Sequence, residues 1–171
     1  MKIGAYCPAT KKLLNLKEKM IKNLNTDGCL KLLGENYIGR LGFVSGQSPC
    51  VIPITYFHDA EEKCIISYSF IGHKLESMRR FPAVSLQVDN IADVHHWQSV
   101  LIQGRFEELK GSTAKKYLHK FAQGVQKIIE DRQDGNPKSI SDFSANITGK
   151  EAPVAYLIRI NNISGKYRES K

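Results

Sequence analysis

The sequence predicts a mainly β fold: an antiparallel barrel of six strands with helices on its flanks. Three observations carry this. Short runs of alternating apolar and polar residues recur from residue 37 onward, divided by clusters rich in glycine, proline and acidic residues. The links between most of these runs are short, which favours antiparallel neighbours. Helical periodicity is confined to the two flanks and to brief insertions between strands.

Residues 14–24 (LNLKEKMIKNL) read as a short amphipathic helix, with Leu16, Met20 and Leu24 at fourfold spacing and Leu13 and Ile21 on the same side. A second short helix spans 26–33, with Thr26 or Asp27 as N-cap and Gly34 as its stop. Tyr37–Ser45 is the first strand, Gly46–Pro49 a turn, and Cys50–Phe57 the second strand. His58–Glu62 forms a hairpin loop, and the third strand, Lys63–Phe70, places Cys64, Ile66, Tyr68 and Phe70 on one face. A helix Gly72–Arg80 ends at Phe81-Pro82 and leads into a fourth strand, Ala83–Asp89. Trp97–Leu109 is a long fifth strand. Ser112 then caps a helix to about Arg132, whose stripe is Leu118, Phe121, Val125, Ile128 and Ile129. Residues 133–153 read as a mobile connection, and Val154–Ile163 is the sixth strand. The segments are thus 1–34, helical and packed on the barrel; 35–110, the barrel core; 111–153, helix and connection; and 154–171, closing strand and tail. Together they form one domain. One strand face is aliphatic and fills a barrel. The other is mixed and is left for a partner subunit or a ligand.

A length of 171 residues with 42% hydrophobic content allows a full core and excludes wholesale disorder. No apolar run approaches the ~18 residues of a membrane span. The N-terminus shows no secretory signal, so the expected compartment is the cytoplasm. The net charge of +8 lies on the flanks: residues 1–24 carry +5 and 110–127 carry +5, whereas 25–109 carry −3. That distribution argues against a nucleic-acid groove on the central sheet, and solvated lysine faces account for it. The cysteine spacings fit no CxxC pair or zinc pattern; Cys50 and Cys64 read as small apolar strand residues. Zinc-protease, P-loop and GxSxG motifs do not occur.

The segment Ser69-Phe70-Ile71-Gly72-His73-Lys74 ends a strand and opens a helix with a basic pair. Helix N-termini offer unpaired N–H groups and the positive end of the dipole, so this is a compact phosphate site. The plainer alternative is a glycine capping a helix whose first turn happens to be basic. Pro53, within Val51–Tyr56, cannot donate to a ladder, which puts that strand at an edge or a bulge. The edge serves either to block aggregation or to hydrogen-bond a planar heterocycle. His95 and His96 are adjacent in sequence and point to opposite faces, so no metal site is expected there. Trp97 either stacks on a ring or closes the barrel.

The ordered set Arg40-Leu41-Gly42-Phe43, Pro49-x-Val51-Ile52-Pro53-Ile54, Tyr68-Ser69, Gly72-His73-Lys74-Leu75-Glu76, Arg80-x-Pro82-x-Val84, Trp97-x-Ser99-Val100 and Gly104-Arg105-x-Glu107 resembles the pyridoxamine 5′-phosphate oxidase-like flavin-binding split-barrel superfamily. Within it, the chain is most similar to the nitroimidazole-resistance (Nim-type) reductases. The resemblance spans roughly residues 26–110, and Val154–Arg168 resembles the closing strand. It implies a six-stranded split β-barrel, a homodimer, and FMN (FAD in some members) in clefts between the subunits. It further implies that Ser69, His73 and Lys74 hold the flavin phosphate, that Tyr68 and Gly72 are among the cofactor-binding residues, and that Ile52, Pro53, Ile54 and Thr55 line the isoalloxazine. Trp97, Gln98 and Ser99 would lie close to the cofactor, from the same or the other subunit, and Arg40 would add charge. His73 matches the functional histidine of Nim-type members. The arginine- and histidine-containing C-terminal signature of true pyridoxamine phosphate oxidases is not apparent in Ser164–Arg168, which argues against that activity.

Two functions follow as expectations. One is a flavin oxidoreductase taking electrons from a reduced nicotinamide or a redox protein and passing them to a small electrophile such as a nitroaromatic, as in antibiotic resistance. The other is a non-enzymatic flavin or haem binder, with His58, His95, His96 or His119 as an axial ligand.

Overall fold

Strand alternation gives every sheet two faces, and in this protein the inner face encloses a core while the outer face is covered only in part. The computed structural model describes residues 21–132 and 153–169. The strands are β1 (Ile21–Leu24), β2 (Ile38–Ser45), β3 (Ser48–Thr55), β4 (Phe57–Asp59), β5 (Cys64–Ser69), β6 (Ala83–Ile91), β7 (Trp97–Glu108) and β8 (Val154–Arg168). The helices are α1 (Thr26–Gly34), α2 (His73–Arg80) and α3 (Gly111–Asp131). All pairings are antiparallel, in the order β3-β2-β6-β7-β8-β5-β4, with β1 added on β8. The expected mainly β barrel with flanking helices is therefore present, but with eight strands among the described residues rather than six.

The two extra strands have separate causes. Ile21–Leu24 is not the end of a helix; it pairs with Gly165–Arg168 at the end of β8, and that ladder overrides the fourfold spacing read from Leu16, Met20 and Leu24. The remainder of that expected helix lies outside the described residues, as do Cys7 and most of the 133–153 connection. The second extra strand arises because the chain turns at Tyr56. Its N–H donates to the Tyr37 carbonyl at 2.8 Å and its hydroxyl to the Leu33 carbonyl at 2.9 Å, which separates β3 from β4. Three boundaries also differ. Asn25, not Thr26 or Asp27, caps α1, its Oδ1 accepting from Gly28 N–H at 2.8 Å. Lys110 precedes α3 and Ser112 makes no cap. The β2–β3 turn shrinks to Gly46 and Gln47, with Gly46 at φ 61° in the left-handed region that a tight hairpin needs.

The inner faces of the strands enclose the main core. Leu41, Ile65, Leu86, Val100, Ile102 and Ile158 are fully buried there, and α1 contributes Leu32 and Leu33. Each such side chain contributes about 1.5–3 kcal/mol of burial free energy. A second core lies on the outer face, where α3 covers β5 and the start of β8. Tyr117, Phe121 and Val125 pack on Cys64, Ile66, Ala155 and Leu157. This explains why β5 is buried on both sides. Gly124 lets the helix approach, since a Cβ there would overlap the Phe57 ring. Among the described residues the outer face of β2, β3, β6 and β7 has no such cover: Val51 is 68% exposed and Leu101 41%. Among the described residues no helix is long and apolar enough to cross a membrane.

Candidate functional site

The turn from β5 to α2 brings four of the expected residues together by chain continuity. Gly72 is the N-cap of α2 in extended backbone, and no side chain satisfies the first N–H groups of the helix. A Cβ added at Gly72 would meet nothing within 4 Å, so the glycine leaves open space at the helix mouth. Ser69 Oγ donates to the Phe70 carbonyl at 3.0 Å. Lys74 is half-buried and forms no ion pair among the described residues. Burial alone pushes its pKa below the ordinary value. An ammonium held half out of water with no carboxylate beside it, at the positive end of a helix, favours a bound anion. Exposed Glu76 in the first turn is the opposing charge.

His73 is fixed by a residue that sequence reasoning missed. Its Nε2 lies 2.5 Å from Ser45 Oγ, at the end of β2. Nothing in the linear sequence joins positions 45 and 73; only the hairpin-closing place of Ser45 hints at a structural role.

The second component is the edge of β3, which among the described residues pairs only with β2. The two-residue hairpin makes Ser45 and Ser48 a hydrogen-bonded pair, so the bonded pairs continue as Phe43 with Cys50, Leu41 with Ile52 and Gly39 with Ile54. The backbone groups of Pro49, Val51, Pro53 and Thr55 therefore face away from β2. Two of these four residues are prolines, which explains how proline fits a well-formed strand. The outward N–H groups belong to Val51 and Thr55. The backbone groups of Ile52 and Ile54 are spent on β2, and their side chains turn inward onto the core.

The edge and the turn face one another. Ser67 Oγ donates to the Thr55 carbonyl at 2.8 Å, and six residues later His73 reaches Ser45, which sits opposite Ser48 at the other end of β3. The chain from Ser67 to His73 thus runs past the whole free edge of β3. Thr55 and Ser67 meet at one end of this segment, and Ser45 and His73 at the other.

Other expected residues lie elsewhere within the chain. Tyr68 points to the opposite face from Ser69 and packs edge-on against Phe121 at 5.4 Å, as part of the second core. Arg40 is on the bare outer face, bonded to Asp89 at 2.9 Å and Gln87 at 3.2 Å; Gln87 continues the network to Ser99 at 3.0 Å. Arg40 is five residues along β2 from Ser45, or ~17 Å. Trp97 pairs with Ile91, at the end of β6 remote from α2, and so lies ~30 Å from His73. Trp97 and Gln98 instead line a groove of about 670 Å³ beside α1. His58 is buried inside the barrel, where burial lowers its pKa despite the opposing pull of Asp59. His96 is bound to Asp93 at 3.0 Å. Among the described residues no group of three or more His, Cys, Asp or Glu is placed to hold a metal ion.

The chain as a whole is similar to known proteins. An uncharacterized protein of Rhizobium meliloti (strain 1021) is 24% identical over 147 residues, covering 85% of this chain and 94% of its own. The crystal structure of an FAD-binding protein from Mesorhizobium loti superposes with a TM-score of 0.65 at 27% identity, over 87% of this chain and 99% of that one. That of a proposed 5-nitroimidazole antibiotic resistance protein from Bacteroides thetaiotaomicron gives a TM-score of 0.62 at 12% identity, over 88% and 92% of the two chains, and shows a shared fold. A family model for pyridoxamine 5′-phosphate oxidase matches residues 25–166, and the chain belongs to that family of split β-barrels.

Proposed function

We propose that this protein is a flavin-dependent oxidoreductase that acts as a homodimer and reduces small electrophiles of the nitroimidazole or nitroaromatic type. The observation that carries this reading is the split: an uncapped helix mouth with the half-buried, unpaired Lys74, facing a strand edge whose outward groups are partly removed by proline. The donor set fits a phosphorylated flavin, FMN or FAD. Such a cofactor, when bound, supplies two-electron and one-electron redox chemistry that side chains lack.

The residues of this chain supply binding and electrostatics. Lys74, the first N–H groups of α2, Ser69 and His73 hold the phosphate. The Val51 and Thr55 N–H groups and the Pro53 carbonyl offer the planar donor–acceptor edge a ring system needs, while Ile52 and Ile54 support that edge from the core. His73, anchored through Nε2 to Ser45, leaves Nδ1 to bind the phosphate or to hold a proton near the reacting ring. The bare outer face of β2, β3, β6 and β7 is the surface on which a second copy would pack. In such a dimer Arg40, Trp97, Gln98 and Ser99 would approach the partner's split, which their distance from Lys74 within one chain forbids. The electrons would come from a reduced nicotinamide or a redox protein.

The test is the absorption spectrum of the purified protein, before and after addition of FMN and FAD, followed by anaerobic reduction and mixing with a nitroimidazole. Flavin bands that bleach on reduction and recover with loss of the nitro absorbance support the reading. A protein that holds flavin but transfers no electrons would be a flavin carrier, and one that takes up no flavin refutes the proposal.

A further inference from the structure

One end of the barrel carries positive charge and exposed apolar surface together. Arg79 of α2 donates to Glu108 at the end of β7, through Nε at 2.6 Å and Nη2 at 3.1 Å. The Leu109 N–H donates to the Ala155 carbonyl at 2.9 Å, and the adjacent Val154 pairs with Ser69 at the end of β5. These contacts bring α2, the β5–α2 turn and the start of α3 to the same end of the sheet. Two apolar side chains of the turn are exposed there, Ile71 at 65% and Phe70 at 40%. Phe81, at the far end of α2, is exposed as well, and the Arg80 guanidinium lies 5.4 Å from its ring centroid. Arg80, Lys110, Lys115 and Lys116 are exposed, and none forms an ion pair among the described residues. Arg79 is spent on Glu108, and exposed Glu76 opposes the four remaining cations.

We propose that this surface docks an acidic redox protein that delivers electrons to the flavin. The proposal rests on the flavin-dependent function above and makes its electron donor a protein rather than a nicotinamide. Exposed apolar side chains ringed by cations, with an arginine stacked on an aromatic ring, have the make-up of a protein-docking patch. The cations select an acidic partner and speed its encounter. Glu76 within the patch repels an evenly charged polyanion or a layer of lipid headgroups, whereas a folded protein can match mixed signs one by one. Position supplies the function. Ile71 adjoins Gly72, the N-cap of α2, so a partner seated on Phe70 and Ile71 stands beside the helix mouth assigned to the flavin phosphate. Each encounter oxidises one partner centre by one electron. Two encounters reduce one flavin by two electrons, with two protons drawn from solvent, and the oxidised partner leaves.

The probe is an acidic plant-type [2Fe–2S] ferredoxin, with NADH and NADPH as competing donors. Anaerobic stopped-flow mixing of the reduced ferredoxin with the full-length, FMN-loaded protein follows flavin bleaching at increasing salt. Titration calorimetry with the oxidised ferredoxin measures docking alone, which needs no flavin. Both are repeated with the double variant Arg80→Glu/Lys115→Glu and with Lys127→Glu, an exposed position about 18 Å further along α3. FMN affinity should be equal in all three proteins. Bleaching that slows at least about tenfold at high salt, and about tenfold at low salt in the double variant but not in Lys127→Glu, supports the proposal. Docking that follows this pattern in a protein that takes up no flavin upholds the surface and refutes the flavin reading alone. Flavin that bleaches only with NADH or NADPH, ferredoxin rates indifferent to salt, or equal effects of the two variants overturn the inference while the flavin reading stands. Binding to vesicles of anionic lipid or to duplex DNA, with none to ferredoxin, overturns it as well. Neither docking nor flavin uptake overturns both.

Discussion

Replacing Lys74 by alanine separates the binding role of the β5–α2 turn from its role in folding. In the free protein the ammonium is half-buried and unpaired among the described residues, and burial alone depresses its pKa from 10.5. The native state therefore releases this proton more readily than the unfolded chain does. Stability of the free protein rises as pH climbs through the depressed folded value toward 10.5, and Lys74→Ala removes that rise. At neutral pH the substitution leaves the melting temperature of the free protein unchanged or slightly higher. Binding behaves in the opposite way. A hydrogen bond from a charged donor contributes about 1.5–3 kcal/mol, so flavin affinity should fall ~10–150-fold. Wild-type affinity should also decline at alkaline pH as Lys74 loses its proton, and the variant should lack that limb. Lys115→Ala, on the exposed side of α3, is the control for general loss of charge. Fluorescence titration with FMN at several pH values measures all of this. Equal losses in the two variants, or no loss in Lys74→Ala, would refute the reasoning.

Three further outcomes follow from the packing. Gly124→Ala gains helix propensity but drives a methyl group into the Phe57 ring, and a net loss of about 1–3 kcal/mol should appear in thermal melts. Asp59 is buried. Burial would raise its pKa, but the Lys120 ammonium 2.5 Å away and the N–H groups of Glu62 and Glu61 outweigh this and hold the carboxyl below its usual range. Its contribution is present at neutral pH and is lost only below about 4, as pH falls through the depressed folded value, so Asp59→Asn should destabilise by about 1–2 kcal/mol at pH 7 and flatten the acid limb of urea unfolding curves. Leu101→Glu puts a charge on the uncovered outer face and should convert the proposed dimer to a monomer by light scattering, with the fold retained in circular dichroism.

The sheet was legible where local alternation and burial agree. Val84, Leu86 and Val88 on β6 and Val100 and Ile102 on β7 read correctly because each strand has one buried face. β1 was not legible, because Leu24 fits a helical stripe and a strand equally well and only the distant end of β8 decides. β4 was hidden by a turn at Tyr56 that depends on contacts with Tyr37 and Leu33. The site divides in the same way. Ser69, Gly72, His73 and Lys74 were visible because one turn carries them all. Ser45 was invisible because its meeting with His73 is a tertiary event. The free N–H groups of Val51 and Thr55 follow from strand register, which residue types alone do not fix. Tyr68 lies away from Ser69 because neighbours in a strand point to opposite faces, and its ring packs on Phe121 of α3.

The central claim is that the turn before α2 holds the phosphate of a flavin nucleotide. Comparing FMN with riboflavin tests this most directly, since the two share the same ring and differ in that group alone. FMN should bind at least about 100-fold more tightly to the wild-type protein, with most of that preference lost in Lys74→Ala. Equal affinity of the wild-type protein for FMN and riboflavin would contradict the account.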